Sequence, residues 1–298
     1  MSPRDLIDLT LLAAIWGSSF LFMRVAAPEF GPVALAFVRV SGAALVLLPL
    51  LVWRGEWRHV GHHAKALGWL GLTNSALPFL CFGYALLTLP AGLAAIFNAA
   101  TPLATALIAW VWLRDPLSRP RMLGLALGFA GVLGLAVHKS LRSGQGLAVQ
   151  LDGVTALAIA ACLAATALYG LAAAQARRYL QGVPSLAMAT GTQAAAGLAL
   201  ALPAVVTWPA QSPSAAAWAM AAALAVLASG LAYILYFRLI ARVGGTNAAS
   251  VTFLVPVFAS AWGGLFLDEP MTGAMLAGGA VILAGTALVL GLWPRPAR

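Results

Sequence analysis

The feature that most constrains the fold of this chain is an internal repeat. An apolar stretch between Leu89 and Leu117 recurs about 154 residues later, between Val243 and Met271. The two stretches share marks in register: Ala94 matches Ala248, Pro102 matches Pro256, and Asp115-Pro116 matches Glu269-Pro270. Because self-similarity at about half the chain length is typical of a duplicated structural unit, we expect two similar halves.

The apolar segments of the chain are long enough to cross a membrane. Hydrophobic residues make up 62% of the sequence and charged residues 8%, whereas soluble domains carry about 25% charged residues. Runs of about 20 apolar residues are typical of membrane helices and not of the shorter, alternating strands of membrane barrels. The sequence therefore predicts an all-α integral membrane protein with ten transmembrane helices, at residues 6–27, 33–53, 65–87, 91–113, 121–138, 152–174, 185–207, 215–238, 246–267 and 272–293.

The distribution of Lys and Arg predicts how the chain is oriented. With the N-terminus in the cytoplasm, 13 of the 17 basic residues lie on the cytoplasmic side, three lie on the other side, and Arg39 lies within a span. Cytoplasmic loops of membrane proteins carry an excess of basic residues. We therefore expect a multi-pass protein of the inner (plasma) membrane with both termini in the cytoplasm.

Matched loops of the two halves carry opposite charge. Loop 54–64 and its flanks contain three basic residues, whereas the matching segment 207–215 contains none. Loop 114–121 also contains three, and its counterpart 268–273 contains none. Because an odd number of spans in each half inverts the second half, this alternation predicts two inverted five-helix repeats around a central cavity. The repeats are residues 1–138 and 152–298, joined by a linker at 139–151.

Several short motifs, in this order and partly doubled, resemble the EamA-type branch of the drug/metabolite transporter (DMT) superfamily. They are Trp16-Gly17-Ser18-Ser19-Phe20, Arg39 in the second span, Ala94-Ala95 followed by Thr101-Pro102-Leu103, and the acidic-proline turns after spans 4 and 9. The likeness covers nearly the whole chain, and one departure is Asp115, where the family usually has Glu. The resemblance implies a cavity lined by spans 1, 3, 4, 6, 8 and 9, with spans 5 and 10 at the periphery. Members export amino acids, aromatic ones included, and related metabolites.

Small residues predict one close helix contact. Gly124, Gly128 and Gly131 recur along span 5, and glycines at this spacing let helix backbones approach closely. We expect this face of span 5 to pack against span 10.

Polar and aromatic side chains within the spans are candidates for substrate binding. Aromatic rings with a polar tip suit an organic solute with an apolar body, and neutral polar groups suit its amino and carboxyl groups. The alternative is that such groups only join helices, at about 0.6 kcal/mol per contact. The candidate substrate-binding residues are Trp16, Ser19, Tyr84, Asn98, Thr101, Tyr169, Tyr233, Tyr236, Asn247 and Ser250.

Arg39 is the charged residue that lies well inside a predicted span. A central arginine costs about 2.5–3.5 kcal/mol on membrane-insertion scales, but a long side chain can reach outward to the interface. Two interpretations stay open. Arg39 meets a carboxylate or hydroxyl near the rim of the cavity, or it is a structural residue that hydrogen-bonds to loop carbonyls.

The acidic residues are informative by their positions. All eight Asp and Glu residues lie at span ends or in loops, whereas proton-driven exporters of cations usually need a carboxylate at membrane depth. The sequence therefore favours export of small neutral or zwitterionic metabolites, amino acids above all, by alternating access without a buried acidic coupling residue. Alternatives are a carrier of drugs or quaternary cations, a carrier of sugar-phosphate-like metabolites and, more distantly, an intramembrane enzyme. An enzyme is not expected, because Ser18 and Ser19 have no buried histidine as a base.

The net charge of +9 does not indicate a nucleic-acid partner, because the basic residues stand singly or in pairs between apolar spans. Membrane lipid and a small-molecule substrate are the expected partners of a monomeric protein. The histidines at 59, 62 and 63 lack cysteine or acidic ligands at suitable spacing, so no metal and no cofactor are expected.

Overall fold

A computed structural model describes residues 2–142, 153–243, 248 and 250–291. All regular secondary structure in these residues is helical, in agreement with the predicted all-α class. Eight of the helices are long and apolar enough to cross a membrane, and a ninth apolar helix, Val251–Leu267, is shorter. The chain is therefore built as a multi-pass helical membrane protein. Asn247 and most of the expected linker, from residue 143 onward, lie outside the described residues.

The helices agree with the predicted spans to within a few residues at most ends. In chain order they are α1 (Pro3–Trp53), α2 (Trp57–His62), α3 (Ala64–Ala85), α4 (Ala91–Leu113), α5 (Arg119–Arg142), α6 (Gly153–Tyr179), α7 (Ser185–Val206), α8 (residues 215–243), α9 (Val251–Leu267) and α10 (Gly273–Leu290).

Three boundaries differ from the prediction. Loop 54–64 contains the short helix α2, and α6 runs to Tyr179, inside the expected loop 175–184. Helix α5 runs to Arg142, into the expected linker. Ala, Gln and Arg are strong helix formers, so a helix continues through such residues after it has left the apolar region.

Helix α1 contains two predicted spans and is sharply bent between them. At Gly31 the backbone has φ 72° and ψ 158°, which is not helical and which suits glycine because it has no Cβ. We call residues 3–30 the first limb and residues 32–53 the second limb. Met23 and Arg39 stand eight residues before and after the bend, and their side chains are in contact, so the limbs fold back alongside each other.

Ion pairs and a helix cap identify the two ends of the bundle. Asp8, in the first limb, pairs with Arg238 and Arg242 of α8, and Asp5 also pairs with Arg242. At the other end of the first limb, Glu29 accepts hydrogen bonds from the backbone nitrogen and hydroxyl of Ser214, 2.6 and 2.9 Å away, where α8 begins. The first limb and α8 are therefore antiparallel. We call the end with Asp8 the near face and the end with Glu29 the far face.

Backbone irregularities occur at corresponding places in the two halves. Helix α3 contains a π-helical stretch at Leu72–Ala76, and α8 contains one at Leu224–Leu231. Helices α4 and α9 end in left-handed residues, Arg114 with φ 57° and Asp268 with φ 53°. Among the described residues these are the two non-glycine residues with positive φ, and they stand at matching positions of the sequence repeat.

Helices α5 and α10 pack through glycines, as the spacing predicted. A Cβ on Gly124 would lie 2.7 Å from the carbonyl oxygen of Gly285, and a Cβ on Gly285 would lie 2.5 Å from the nitrogen of Gly128. Gly131 faces Ile282 in the same contact. No larger side chain fits between these backbones, so the close approach depends on glycine.

Candidate functional site

Arg39 is buried between helices and does not reach the rim. Its side chain lies in the second limb of α1 and the residue is 6% exposed. The guanidinium donates from Nε to the hydroxyl of Ser229 at 3.0 Å and from Nη1 to the sulfur of Met23 at 3.5 Å. Its carbon lies 3.7 Å from the ring centroid of Phe79, a cation–π contact. Loop carbonyls are not among the partners that the described residues give Arg39, because neighbouring helices enclose its side chain.

Polar residues of four other helices lie around this guanidinium or around its neighbour Tyr233. Tyr169 of α6 and Tyr233 of α8 lie close enough to interact with its charge, and Tyr233 in turn approaches Asn74 of α3 and Gln193 of α7. We call Arg39, Asn74, Tyr169, Gln193, Ser229 and Tyr233 the Arg39 cluster. No carboxylate from the described part of the chain pairs with Arg39.

Asn74, Gln193 and Ser229 of this cluster are absent from the predicted substrate-binding residues, and Gln193 is the most deeply buried amide among them. It is fully buried, and apart from its approach to Tyr233 its amide atoms meet no hydrogen-bond partner in the described residues. Buried polar groups of proteins are normally hydrogen-bonded. A signal was present in the sequence, because Gln193 is the one amide side chain in the otherwise apolar or small-residue segment 185–207.

Aromatic rings lie beside the Arg39 cluster. Tyr169 stacks on Phe82 with ring centroids 6.2 Å apart, and Phe82 meets Phe20 edge to face at 5.5 Å. Trp16 and Tyr236 form a second contact, with centroids 5.1 Å apart. Three of the predicted aromatic residues are thus brought into two pairs on α1, α3, α6 and α8. These rings offer an apolar wall next to a positive charge.

An ion pair joins the two halves at the far face. Arg24 Nε lies 3.0 Å from Glu269 Oε1, and Glu269 Oε2 accepts from the backbone nitrogen of Ala91 at 2.7 Å. Arg24 also donates from Nη1 to the carbonyl oxygens of Leu86 and Leu87, at 2.9 and 3.2 Å. The side chains of Arg24 and Glu269 are 30% and 14% exposed. We call this contact the far ion pair.

A second ion pair joins the halves at the near face. Both terminal nitrogens of Arg177, in α6, donate to the carboxylate of Asp115, with Nη2 3.0 Å from Oδ1. The two side chains are 58% and 31% exposed. The hydrogen bond from Arg177 holds the pKa of Asp115 below its usual range. A pocket of about 360 Å³ opens beside this near ion pair and is lined by Trp112, Leu113, Arg114, Arg177, Arg178 and Gln181.

The model of the EamA-like transporter family matches residues 7–137 and 156–291. The chain belongs to the EamA-like transporter family. The predicted resemblance is therefore confirmed, and the protein is a transmembrane transporter for which a small-molecule substrate is expected. Membership of a transporter family also points away from an enzyme.

Two relatives and one solved structure resemble this EamA-like transporter over most of its length. A WAT1-related chloroplastic protein of Arabidopsis thaliana is 28% identical over 286 residues, which cover 92% of this chain and 66% of that protein. A probable terminal-alkyne amino-acid exporter of Streptantibioticus cattleyicolor is 25% identical over 281 residues, which cover 94% of this chain and 91% of the relative. A crystal structure with 18% identity superposes with a TM-score of 0.66 over 98% of both chains, which shows a shared fold.

Some of the predicted polar residues bond to nearby backbone instead of pointing freely into the EamA-like bundle. The hydroxyl of Ser19 donates to the carbonyl oxygen of Trp16 at 2.7 Å. Helix α4 is interrupted at residues 99–100, and Thr101 donates to the carbonyl oxygen of Asn98 there, also at 2.7 Å. Such bonds from Ser and Thr to the preceding turn are common, and sequence spacing does not reveal them.

The remaining predicted site residues lie at the ends of helices. Tyr84 is half-buried in the last turn of α3, at the far face, and Ser250 is half-buried just before α9. Asn247 lies outside the described residues. The best candidate for the substrate site of this transporter is therefore the Arg39 cluster with its aromatic neighbours, between the far and near ion pairs.

Proposed function

We propose that this EamA-like transporter exports small neutral or zwitterionic metabolites, above all amino acids, by alternating access. The observation that carries the proposal is the layered arrangement of the bundle. A polar and aromatic layer, to which the described residues contribute no carboxylate, lies between two ion pairs, one at each face, and each pair joins the two halves of the chain. Such a layer can hold a solute while either face is closed.

The proposed architecture is ten spans in two inverted repeats, residues 1–138 and 152–298, around a central cavity. The bend at Gly31 supports it, since it divides α1 into two limbs of spanning length. The matched π-helical stretches and left-handed ends support the repeat, as does one family model that matches both halves. Inversion is supported by the contact of Glu269, at the end of α9, with Ala91, at the start of α4. Transporters of inverted repeats commonly bind their cargo between the repeats.

The two ion pairs supply a mechanism for alternating access. Arg24 of the first half holds Glu269 of the second at the far face, and Arg177 of the second half holds Asp115 of the first at the near face. A rocking motion of one half against the other would separate one pair while the other stays closed. Cargo in the central layer would then meet one side of the membrane at a time.

The orientation and the surroundings complete the proposal. With 13 of 17 basic residues on the side of the N-terminus, the near face is cytoplasmic and the membrane is the inner membrane. Helix α10 packs antiparallel to α5 and ends at the near face, which supports the proposal of both termini on one side. Lipid surrounds a monomer, and neither a cofactor nor a metal takes part.

The substrate class follows from the charges and rings of the central layer. Trp16, Tyr169 and Tyr236 suit an apolar or aromatic body, and an amino-acid exporter is among the relatives. A carrier of quaternary cations would present a buried acid, and a carrier of sugar phosphates would present several basic groups at depth. The central layer offers a single guanidinium and no acid among the described residues.

The test is transport by purified protein in liposomes without an ion gradient. The panel contains phenylalanine, threonine, a quaternary ammonium compound and a sugar phosphate, with protein-free vesicles as the blank. We expect amino-acid flux that persists without a proton gradient. Trp16→Ala should slow phenylalanine more than threonine, whereas the matched control Trp53→Ala, at a residue that is 80% exposed, should change neither. Selective transport of the quaternary cation, or no amino-acid flux, would contradict the proposal.

A further inference from the structure

We propose that the Arg39 guanidinium binds the carboxylate of the substrate, so that the cargo of this transporter is a small monocarboxylate such as an amino acid. This inference rests on the proposed function and adds the group that selects the cargo. The geometry of the Arg39 cluster carries it.

The first argument is the unbalanced charge of Arg39. An arginine has five N–H donors, and in the described residues Arg39 meets the hydroxyl of Ser229, the weakly accepting sulfur of Met23 and the ring face of Phe79. Tyr169 and Tyr233 lie nearby, and neither is a carboxylate. Buried charges in proteins are normally paired with an opposite charge. A cation at membrane depth without such a partner indicates that the missing anion arrives with the cargo.

The second argument is the position of Gln193. Gln193, Ala196 and Leu200 lie on one face of α7, at spacings of three and four residues. Ala196 and Leu200 pack in one cluster with Ala36, Val40 and Phe79, which flank Arg39. The buried amide of Gln193, which also approaches Tyr233, therefore lies on the helix face that packs toward the guanidinium. An amide N–H₂ beside a guanidinium provides donors for both oxygens of one carboxylate.

The third argument is local backbone geometry. Ser229, which accepts from Arg39, lies in the π-helical stretch of α8, and Asn74, which approaches Tyr233, lies in the π-helical stretch of α3. A π-helical turn occurs frequently at functional sites. The two matching irregularities of the repeat thus both supply polar side chains to the Arg39 cluster.

The same chemistry excludes other cargo. A quaternary cation would be repelled by Arg39, and a phosphate with two negative charges would leave one charge uncompensated. A monocarboxylate balances the single guanidinium, and its apolar part can lie against the rings of Phe79, Phe82 and Tyr169. An ammonium group on the cargo can lie over an aromatic face.

The first experiment uses the wild-type protein, so it does not depend on whether a variant folds. Uptake of labelled phenylalanine into proteoliposomes is measured against unlabelled phenylalanine, phenylpropionate, phenylalanine amide and phenethylamine. We expect phenylpropionate to compete and the two compounds without a carboxylate to compete roughly tenfold less well, as expected for one lost charged hydrogen-bond pair. Equal competition by phenethylamine would overturn this inference and leave amino-acid export standing. Absence of all flux would overturn both.

The second experiment changes the guanidinium. Arg39→Gln should lower phenylalanine flux roughly tenfold or more and remove the preference for phenylpropionate over phenethylamine. The flux and the preference of Arg39→Lys should lie between those of the wild-type protein and those of Arg39→Gln, because lysine keeps the charge and loses the forked geometry. Trp53→Ala, at a residue that is 80% exposed, is the control, so both the flux and the preference should remain. An equal loss for cargo with and without a carboxylate in Arg39→Gln would contradict the inference.

Discussion

The far and near ion pairs occupy matching positions in the two halves but differ in their surroundings. Glu269 of the far ion pair is 14% exposed and also accepts from the backbone of Ala91, while Arg24 also holds two loop carbonyls. The near ion pair of Arg177 and Asp115 is 58% and 31% exposed and stands beside an open pocket. The far ion pair therefore connects three parts of the chain, namely α1, the segment 86–91 and the end of α9. The near ion pair connects two, the end of α4 and α6.

This difference indicates which face opens more readily. Separating a largely buried ion pair leaves charges without partners, which is costly. Separating an exposed pair costs little, because water and salt replace the lost attraction. Under the proposed mechanism, the far face is therefore expected to be the more stable closed face, and the near face, where cargo for export would enter, is expected to open first.

The largest expected effect is that of Glu269→Ala. It removes the anion of Arg24 and the acceptor of the Ala91 nitrogen together, and we expect a loss of roughly 2 kcal/mol in the free energy of unfolding. Labelling of Met271→Cys at the far face by a membrane-impermeant thiol reagent should also become faster, starting from a position that is 47% exposed. Thermal unfolding in detergent and labelling of vesicles measure the two effects. The neighbouring Asp268→Asn is the control, since Asn tolerates the left-handed conformation there. Unchanged unfolding and labelling in Glu269→Ala would show that the far ion pair does not close this face.

A smaller effect is expected for Asp115→Asn. This change removes the charge of the near ion pair, which is mostly exposed, so the unfolding temperature should stay the same. Labelling of Gln181→Cys from the near face should increase, and the transport rate should change by less than about twofold. A loss of stability as large as that of Glu269→Ala would mean that the two ion pairs are equivalent after all.

The smallest effect is expected from pH at the near face. The hydrogen bond from Arg177 lowers the pKa of Asp115, so its contribution is present at neutral pH and is lost only as the pH falls through that lowered value. Acidification of the near face from about pH 7 to about pH 5 should therefore leave unchanged the ratio of the labelling rates of Gln181→Cys with and without Asp115→Asn, a ratio that cancels the pH dependence of the thiol itself. A transition of this ratio within that interval would contradict the assignment of this pKa.

The features that repeat along the chain could be predicted from the sequence. Asp115 and Glu269 stand in register in the repeat, and the structure places both in ion pairs that join the halves. The glycines of α5 and α10 were likewise predictable, because only glycine permits so close an approach of two backbones. The bend at Gly31 lies between two predicted spans, where a glycine and two prolines, Pro28 and Pro32, mark a break.

The candidate site was predicted less well, because side-chain partners depend on which helices meet. The length of the Arg39 side chain allowed it to reach the rim, and only the packing of Phe79, Ser229 and Met23 around it decides that it does not. Ser19 has the same residue type and helical spacing as a cavity residue, yet its hydroxyl bonds to its own helix. Neither outcome could be predicted from spacing, because the contacts of Arg39 join distant segments and a serine at a given position can bond to its own helix or to a neighbouring one.

The measurement that tests the account most directly follows both faces of the transporter at once. Spin labels at Thr88→Cys and Met271→Cys report the width of the far face, and labels at Ser118→Cys and Gln181→Cys report that of the near face. Cys81 and Cys162 are replaced by alanine in both variants, and distances are recorded by pulsed electron resonance in vesicles with and without phenylalanine. Alternating access predicts that cargo shifts the two distance distributions in opposite directions, with the far distance short when the near distance is long. Simultaneous widening at both faces, or distance distributions that do not change when phenylalanine is added, would contradict alternating access.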